Sequence, residues 1–119
     1  VSELSSSPKG QRALKQHEKA KEQQRVADMK WIMSDPRGRR FMFALLDQRC
    51  IVFSRSYTGS SETYLREGRR AVGIELMEEL QEKFSDQYVT MVGEAFHIKK
   101  HDDLVVEAAK EIAKGDEDA

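Results

Sequence analysis

Residues 36–49, PRGRRFMFALLDQR, decide the kind of fold this chain adopts. Proline disfavours helix in the residue before it and is favoured in the first turn of a new one. Ser34-Asp35-Pro36 therefore closes one helix and opens another, with Asp35 placed to cap it. From Phe41 to Leu46 the apolar run is unbroken, so every side of this short helix is apolar, which puts it at the centre of the fold. The pattern predicts an all-α protein, a small bundle of three to four helices with a long polar helix at the N-terminal end.

Upstream, Val1 to Lys9 is rich in serine and contains Pro8, the composition of a flexible arm. From about Gly10 to Met33 the chain is dominated by Lys, Glu, Gln, Arg and Ala, a helix on propensity. Between Gln11 and Arg25 its only apolar residues are Ala13, Leu14 and Ala20, so this half buries no broad stripe and projects unless a partner covers it. Val26, Met29, Trp31, Ile32 and Met33 are expected to anchor its end to the core.

Downstream, Ile51-Val52-Phe53 is a β-favouring trio suited to an extended connector, and Ser54 to Ser61 reads as a loop. A third helix is expected to run to about Phe84, with Leu65, Val72, Leu76 and Leu80 recurring at helical spacing beside Ile74 and Met77. Gly68 and Gly73 inside it each cost about 1 kcal/mol against alanine, which suggests a close helix crossing. After Ser85-Asp86, Phe84, Met91, Ile98, Val105 and Ile112 stand at intervals of seven, as in one long helix with a narrow apolar seam. The alternative is two helices broken near Lys99-Lys100-His101-Asp102, where Asp102 is a good cap, and the break is the preferred reading. The expected organisation is an arm at 1–9, one helical domain at 10–114 with its core in 26–96, and an acidic frayed tail at 115–119.

The chain has 119 residues, enough for one modest core, and 39% apolar against 34% charged residues is the balance of a soluble domain with extended polar helices. No stretch approaches the roughly 18 to 20 apolar residues of a membrane span, and the first thirty residues hold no apolar signal segment. One cysteine, Cys50, allows no intrachain disulfide and fits a reducing cytoplasm. A net charge of −1 conceals an asymmetry: residues 1–70 hold fifteen Lys/Arg and eight Asp/Glu, residues 71–119 five and thirteen. Such a dipolar chain suits head-to-tail contact between copies, contact with an acidic surface through its first half, or pairing of its own halves.

Signals for chemistry are weak. His97 and His101, with Glu94 and Asp102 nearby, share a helix face as a zinc site requires, but no third ligand stands at motif spacing. Cys50 with His17 or His97 matches no nucleophile and base signature, and the thiol adjoins an apolar trio, the setting of a buried structural cysteine. Glu78, Glu79 and Glu82 read as a solvated face, and Gly59, Gly68 and Gly73 do not form a phosphate-cradling loop. The expectation is a protein without catalytic residues, metal or cofactor.

The arginines are less ordinary. Arg37, Arg39 and Arg40 fall in the first turn of one helix and Arg66, Arg69 and Arg70 early in another, where cations oppose the helix macrodipole. Some anion should compensate them. Candidates are carboxylates of the same domain such as Asp35, Asp47, Glu62 and Glu67, the acidic half of a neighbouring copy, or nucleic-acid phosphate. These six arginines, with Leu14 and Trp31, are the expected interaction residues.

Residues 34–80 resemble a family of small proteins encoded among the head and portal genes of short-tailed phages. The resemblance lies in the Pro-x-Gly-Arg-Arg helix start at Pro36 to Arg40, the run to Leu46, Cys50 to Phe53, Thr58-Gly59, and Glu-Gly-Arg-Arg-x-Val-Gly at Glu67 to Gly73. The polar helix before Trp31 is also similar, so that the likeness covers roughly residues 10 to 92, and Phe96 to Ala119 looks longer than the family's usual ending. The resemblance implies a virion-associated or assembly protein without known catalytic residues. Taken with the uncovered helix from Gln11 to Arg25 and the charge split, it leads to the expectation of a phage structural protein that binds the portal, capsid interior or other head components in several copies. It places the chain in the virion, and in the host cytoplasm during assembly. Nucleic acid is a possible partner and a membrane is not.

Overall fold

A computed structural model describes residues 7–54, 59 and 62–118. The described residues form four α-helices and no strand: α1 (Pro8–Met33), α2 (Pro36–Ala44), α3 (Glu62–Lys83) and α4 (Ser85–Asp118), with a π-helical segment at Leu45–Arg49 prolonging α2. The protein is all-α.

α1 starts earlier than its composition suggests. Pro8 occupies the first turn, where its missing N–H is no loss, and the Ser7 side chain accepts a hydrogen bond from the Gly10 N–H. Pro8 and Lys9 therefore belong to the helix and not to the arm; the rest of the expected arm, residues 1–6, lies outside the described residues. At the other end Ser34 closes α1, its N–H and hydroxyl both donating to the Lys30 carbonyl. Asp35 caps α2 by accepting from the Arg37 N–H at 2.8 Å, with Pro36 in the first turn.

At the end of α2 the ladder loosens. The Cys50 N–H reaches back five residues to the Leu45 carbonyl and the Val52 N–H six, to that of Leu46. Ile51 then sits at φ 50°, a left-handed conformation that costs a β-branched residue on the order of 1–2 kcal/mol. The expected extended connector is thus a tight turn, and its return is the burial of Val52. The loop expected at Ser54–Ser61 falls largely outside the described residues.

Gly73 is the reason α3 can settle on this turn. A Cβ there would collide with the Cys50 Cβ and with Val52 Cγ1, so the crossing closes only on a glycine. Gly68 has open space around it and takes no part in the crossing. A single residue, Phe84, separates α3 from α4: its N–H donates to the Leu80 carbonyl and its own carbonyl accepts from Tyr88. Ser85 and Asp86, expected as a cap, are already inside α4.

The core is one cluster of Met29, Met33, Met42, Leu46, Val52, Leu80, Phe84 and Met91, flanked by partly buried Val26, Ile32, Phe43, Leu45, Ile74, Leu76 and Met77. Several expected core positions do not join it. Trp31 is 76% exposed and anchors nothing, because it lies on the side of α1 away from Met29 and Met33. Phe41 is 70% exposed: α2 is covered by α1 and α4 but not all round. Leu65 and Val72 are exposed on the N-terminal half of α3, which extends beyond the cluster.

The expected break near Lys99–Asp102 does not occur. α4 runs through it, and through Gly115, to Asp118, so the acidic tail is helix and not frayed coil. A helix-capping residue on an exposed face costs a few tenths of a kcal/mol, too little to interrupt a helix already propagating from a buried start. The molecule is consequently long, with principal extents of 82 × 38 × 21 Å and a radius of gyration of 21.8 Å, where a compact domain of this length would have about 13.5 Å.

Replacing Gly73 and Gly68 separately by alanine checks this account of α3. Gly73→Ala should destabilise the protein by about 1–3 kcal/mol in urea unfolding, through overpacking. Gly68→Ala should stabilise it by roughly 0.5–1 kcal/mol, because nothing opposes the gain in helix propensity.

Candidate functional site

The arginines expected to mark the site divide into distinct environments. Arg37 turns back on its own cap: its guanidinium Nη2 lies 3.1 Å from Asp35 Oδ2, with a second bond from Nε at 3.2 Å. This pair, with the Arg37 N–H, holds the Asp35 carboxyl down at about 2 and raises the Arg37 guanidinium. Arg39 is enclosed, its side chain only 12% exposed; it bonds Glu94 of α4 at 2.5 Å and the Met33 carbonyl at 2.9 Å. One guanidinium thus ties the end of α1, the start of α2 and the first third of α4. That reach is Arg rather than Lys chemistry, since the fork supplies separate donors to a carboxylate and a carbonyl.

Arg40 points elsewhere and remains exposed beside a groove. On α3, Arg69 is exposed, whereas Arg66 and Arg70 are half-buried, and the Arg70 Nε has no hydrogen-bond partner among the described residues. The two clusters are therefore not brought together as one face. Arg37 and Arg39 answer to carboxylates of the same chain, Asp35 and Glu94; the first stood two residues away in sequence, and the second could not be read from spacing at all.

A further ion-pair group involves residues that sequence patterning assigns to a solvated face. Arg25 of α1 bonds Glu79 of α3 through both terminal nitrogens and also pairs with Glu22 at 2.8 Å; Lys83 lies 2.8 Å from Glu79 and 3.9 Å from Glu22. Glu79 is accordingly half-buried and not merely solvating. Arg25 first, and Lys83 after it, bring the Glu79 carboxyl from 4.5 down to about 2, while Arg25 also lowers Glu22. The sequence signals for this group were the helical spacings, three from Glu22 to Arg25 and four from Glu79 to Lys83; nothing announced the contact between the two helices.

These contacts orient the two long helices. Glu22 meets Lys83 at one end of the packed stretch, and Met33 and Glu94 share Arg39 at the other, so α1 and α4 run in the same sense. α1 enters the core from one pole and α4 leaves it at the opposite one. At about 1.5 Å per residue, the free part of α1 and the length of α4 account for most of the 82 Å long axis. Every described residue from Gln11 to Arg25 is exposed, as is every one from Phe96 to Glu117. Leu14 projects on the first arm; Ile98, Leu104, Val105, Val106 and Ile112 project on the second.

Between α2 and α4 lies an open groove of about 670 Å³. Its walls are apolar (Phe43, Ala44, Phe53, Met91, Val92, Ala95, Phe96 and Ile98), with Arg40, Asp47, Gln48, Glu94, Lys99 and Asp102 around them. Phe43 and Phe53 stack at 5.5 Å between ring centres, closing the end formed by the turn. Nothing in the sequence announced this groove, because it needs Phe53 and residues 91–98 side by side. His97 and His101 are exposed on α4 away from Cys50, which is half-buried against Gly73. Among the described residues no three His, Cys, Asp or Glu side chains gather as metal ligands, and no helix is long and apolar enough to cross a membrane.

The family model described as Bbp19-like phage protein matches residues 29–93, more than half of the chain. The chain belongs to the Bbp19-like phage protein family. The match opens on Met29 and closes two residues after Met91, the first and last residues of the buried core, so the family unit is the core itself. It is narrower than the span of resemblance expected from residue 10, leaving the polar arm of α1 outside. No curated protein and no solved structure matches this chain.

The depressed carboxyls set the acid limb of stability. A group whose folded pKa lies below its unfolded one stabilises the fold above the unfolded value and loses that contribution as pH falls through the folded one. For Glu79 the window is 4.5 down to about 2, and for Asp35 3.8 down to about 2. The urea midpoint should therefore be flat above about pH 5 and fall across that window. Glu79→Gln should lower the plateau and flatten the fall; an acid limb unchanged by this substitution would show that the Arg25 pair contributes nothing.

Proposed function

We propose that this phage protein is a structural or assembly component of the virion that docks on other head components, the portal or the capsid interior among them, in several copies. One observation supports this most. Among the described residues fifteen large apolar side chains are exposed and only eight apolar side chains are buried, the reverse of a protein built to work alone in solution. The exposed set is not confined to one pocket where chemistry could be sheltered. It is spread along projecting helices, the distribution expected of surfaces that other subunits cover. The resemblance of residues 34–80 to proteins encoded among phage head and portal genes points the same way.

The docking surfaces under this reading are the basic arm of α1 with Leu14, the exposed Trp31, and the outward arginines Arg40 and Arg69. Arg37 and Arg39 serve the fold first. A nucleic-acid role through the same arginines draws less support, because two of the six are already engaged by carboxylates and half the chain is acidic. The reading assigns no catalysis, and it locates the chain in the virion after a passage through host cytoplasm.

Mass spectrometry of purified virions and procapsids should find the chain at a fixed stoichiometry, and absence from both would overturn the proposal. Trp31→Ala offers a finer check. With Trp31 so exposed, the change should move the unfolding midpoint by no more than about 0.5 kcal/mol while reducing incorporation into particles. Strong DNA binding that weakens with salt and with Arg40→Ala or Arg69→Ala would instead favour the nucleic-acid role.

A further inference from the structure

The free part of α4 is amphipathic. At 100° per residue Ile98, Val105 and Ile112 fall in one line, flanked by Leu104, Ala108 and Ala109, while Asp103, Glu107, Lys110 and Lys114 take the opposite side. That apolar line prolongs the face which carries Met91 and Glu94 into the domain. The helix thus leaves the core with an apolar line that His101 and Asp102 interrupt between Ile98 and Val105, and with nothing packed on it: Val105 is 53% and Ile112 69% exposed. The groove beside α2 lies on the same helix, along its residues 91–102.

A stripe and a groove displaced from each other along one helix can satisfy each other reciprocally in two copies. We propose that two copies pair through antiparallel α4 helices about a two-fold axis near Val105, each α4 end seating in the other copy's groove.

With that axis, Ile98 of one copy meets Ile112 of the other, and Val105 meets its own equivalent. Gly115 comes opposite Ala95 in the groove floor, small against small, which lets the backbones approach. Gly115 has no packing role within the monomer, where a Cβ would meet nothing within 4 Å. Charge favours the same seating. The incoming end carries Asp116, Glu117 and Asp118, while α2 and its π-helical extension carry Arg37, Arg39, Arg40 and Arg49 against the single Asp47. Glu94, opposite Asp116, is already held by Arg39, and Arg40 and Lys99 stand at the groove. Such an isologous pair closes on itself and consumes both unpartnered features at once. It is read from the chain alone and stands or falls apart from the virion proposal.

Sedimentation equilibrium of the purified full chain should give a dimer at micromolar concentration. Val105→Asp, Ile112→Asp and Gly115→Leu should each weaken it by at least about ten-fold in dissociation constant while leaving helix content unchanged, and the unfolding midpoint unchanged at concentrations low enough that the wild-type chain is monomeric too, since none of these side chains packs in the monomer. The sense of the pair is read by cysteine pairing in a Cys50→Ala background. Ile98→Cys mixed with Ile112→Cys should form a disulfide between the two proteins, and Ile112→Cys alone should not. A monomeric wild-type chain, a dimer indifferent to all three substitutions, or efficient self-linking of Ile112→Cys, the mark of a parallel pair, would each overturn the proposal.

Discussion

Met33, Leu46, Leu80 and Met91 come from four different helical segments, and each is withdrawn from water only because the other three elements are in place. With so small a core, fully burying a side chain of this size is worth roughly 1.5–3 kcal/mol, and the loss of one element exposes the rest. This shared closure fixes where every helix must pass, and the fold's other features are ways of permitting it. Gly73 lets α3 approach the turn, and Ile51 accepts a strained conformation so that Val52 can face inward. Arg39 supplies the polar tie on the one side of the cluster where three elements meet.

Methionine supplies half of the buried set, Met29, Met33, Met42 and Met91. Unbranched thioether chains fill irregular gaps well but specify a unique packing poorly. In this fold the specification comes from around the core, from Asp35 as cap, the glycine crossing, and the two ion-pair groups that set α1 parallel to α4. Individually such surface pairs are weak, and the network that joins α1 to α3, like the pair that joins α2 to α4, acts more through orientation than through energy. A core of this kind tolerates being pulled from outside, which suits the docking proposed for the long helices.

The sequence was informative where the physics is local. The Ser34-Asp35-Pro36 boundary, the helical character of all four segments, the exposed arm from Gln11 to Arg25 and the role of Gly73 all follow from neighbours a few residues apart. It misled where the answer depended on which side of a helix finds cover. Phe41 and Trp31 are apolar yet exposed, and no periodicity within α1 or α2 says which face their neighbours leave bare. The partners of Arg39 and Arg25, far away on α4 and α3, were illegible for the same reason, and so was the groove. Asp102 misled in another way: a cap residue is a permission to stop, and α4, nucleated in the core, had no cause to use it.

The charge split of the chain acquires a geometry once α1 and α4 are seen to leave the core at opposite poles. The basic arm and the acidic end then lie far apart along the 82 Å axis, too far to neutralise each other within one molecule, since fields are screened over about 8 Å at physiological salt. Among the described residues the halves pair where α1 crosses α3 and α2 meets α4, at Arg25 with Glu79, Glu22 with Lys83 and Arg39 with Glu94. Antiparallel joining of two α4 helices would fold both acidic ends inward against the arginines of α2 and leave a basic α1 arm at each extremity. A dipolar chain would thereby become a two-ended basic rod, able to bridge two acidic surfaces, and the polarity of the sequence would serve assembly twice, once between copies and once toward the larger structure.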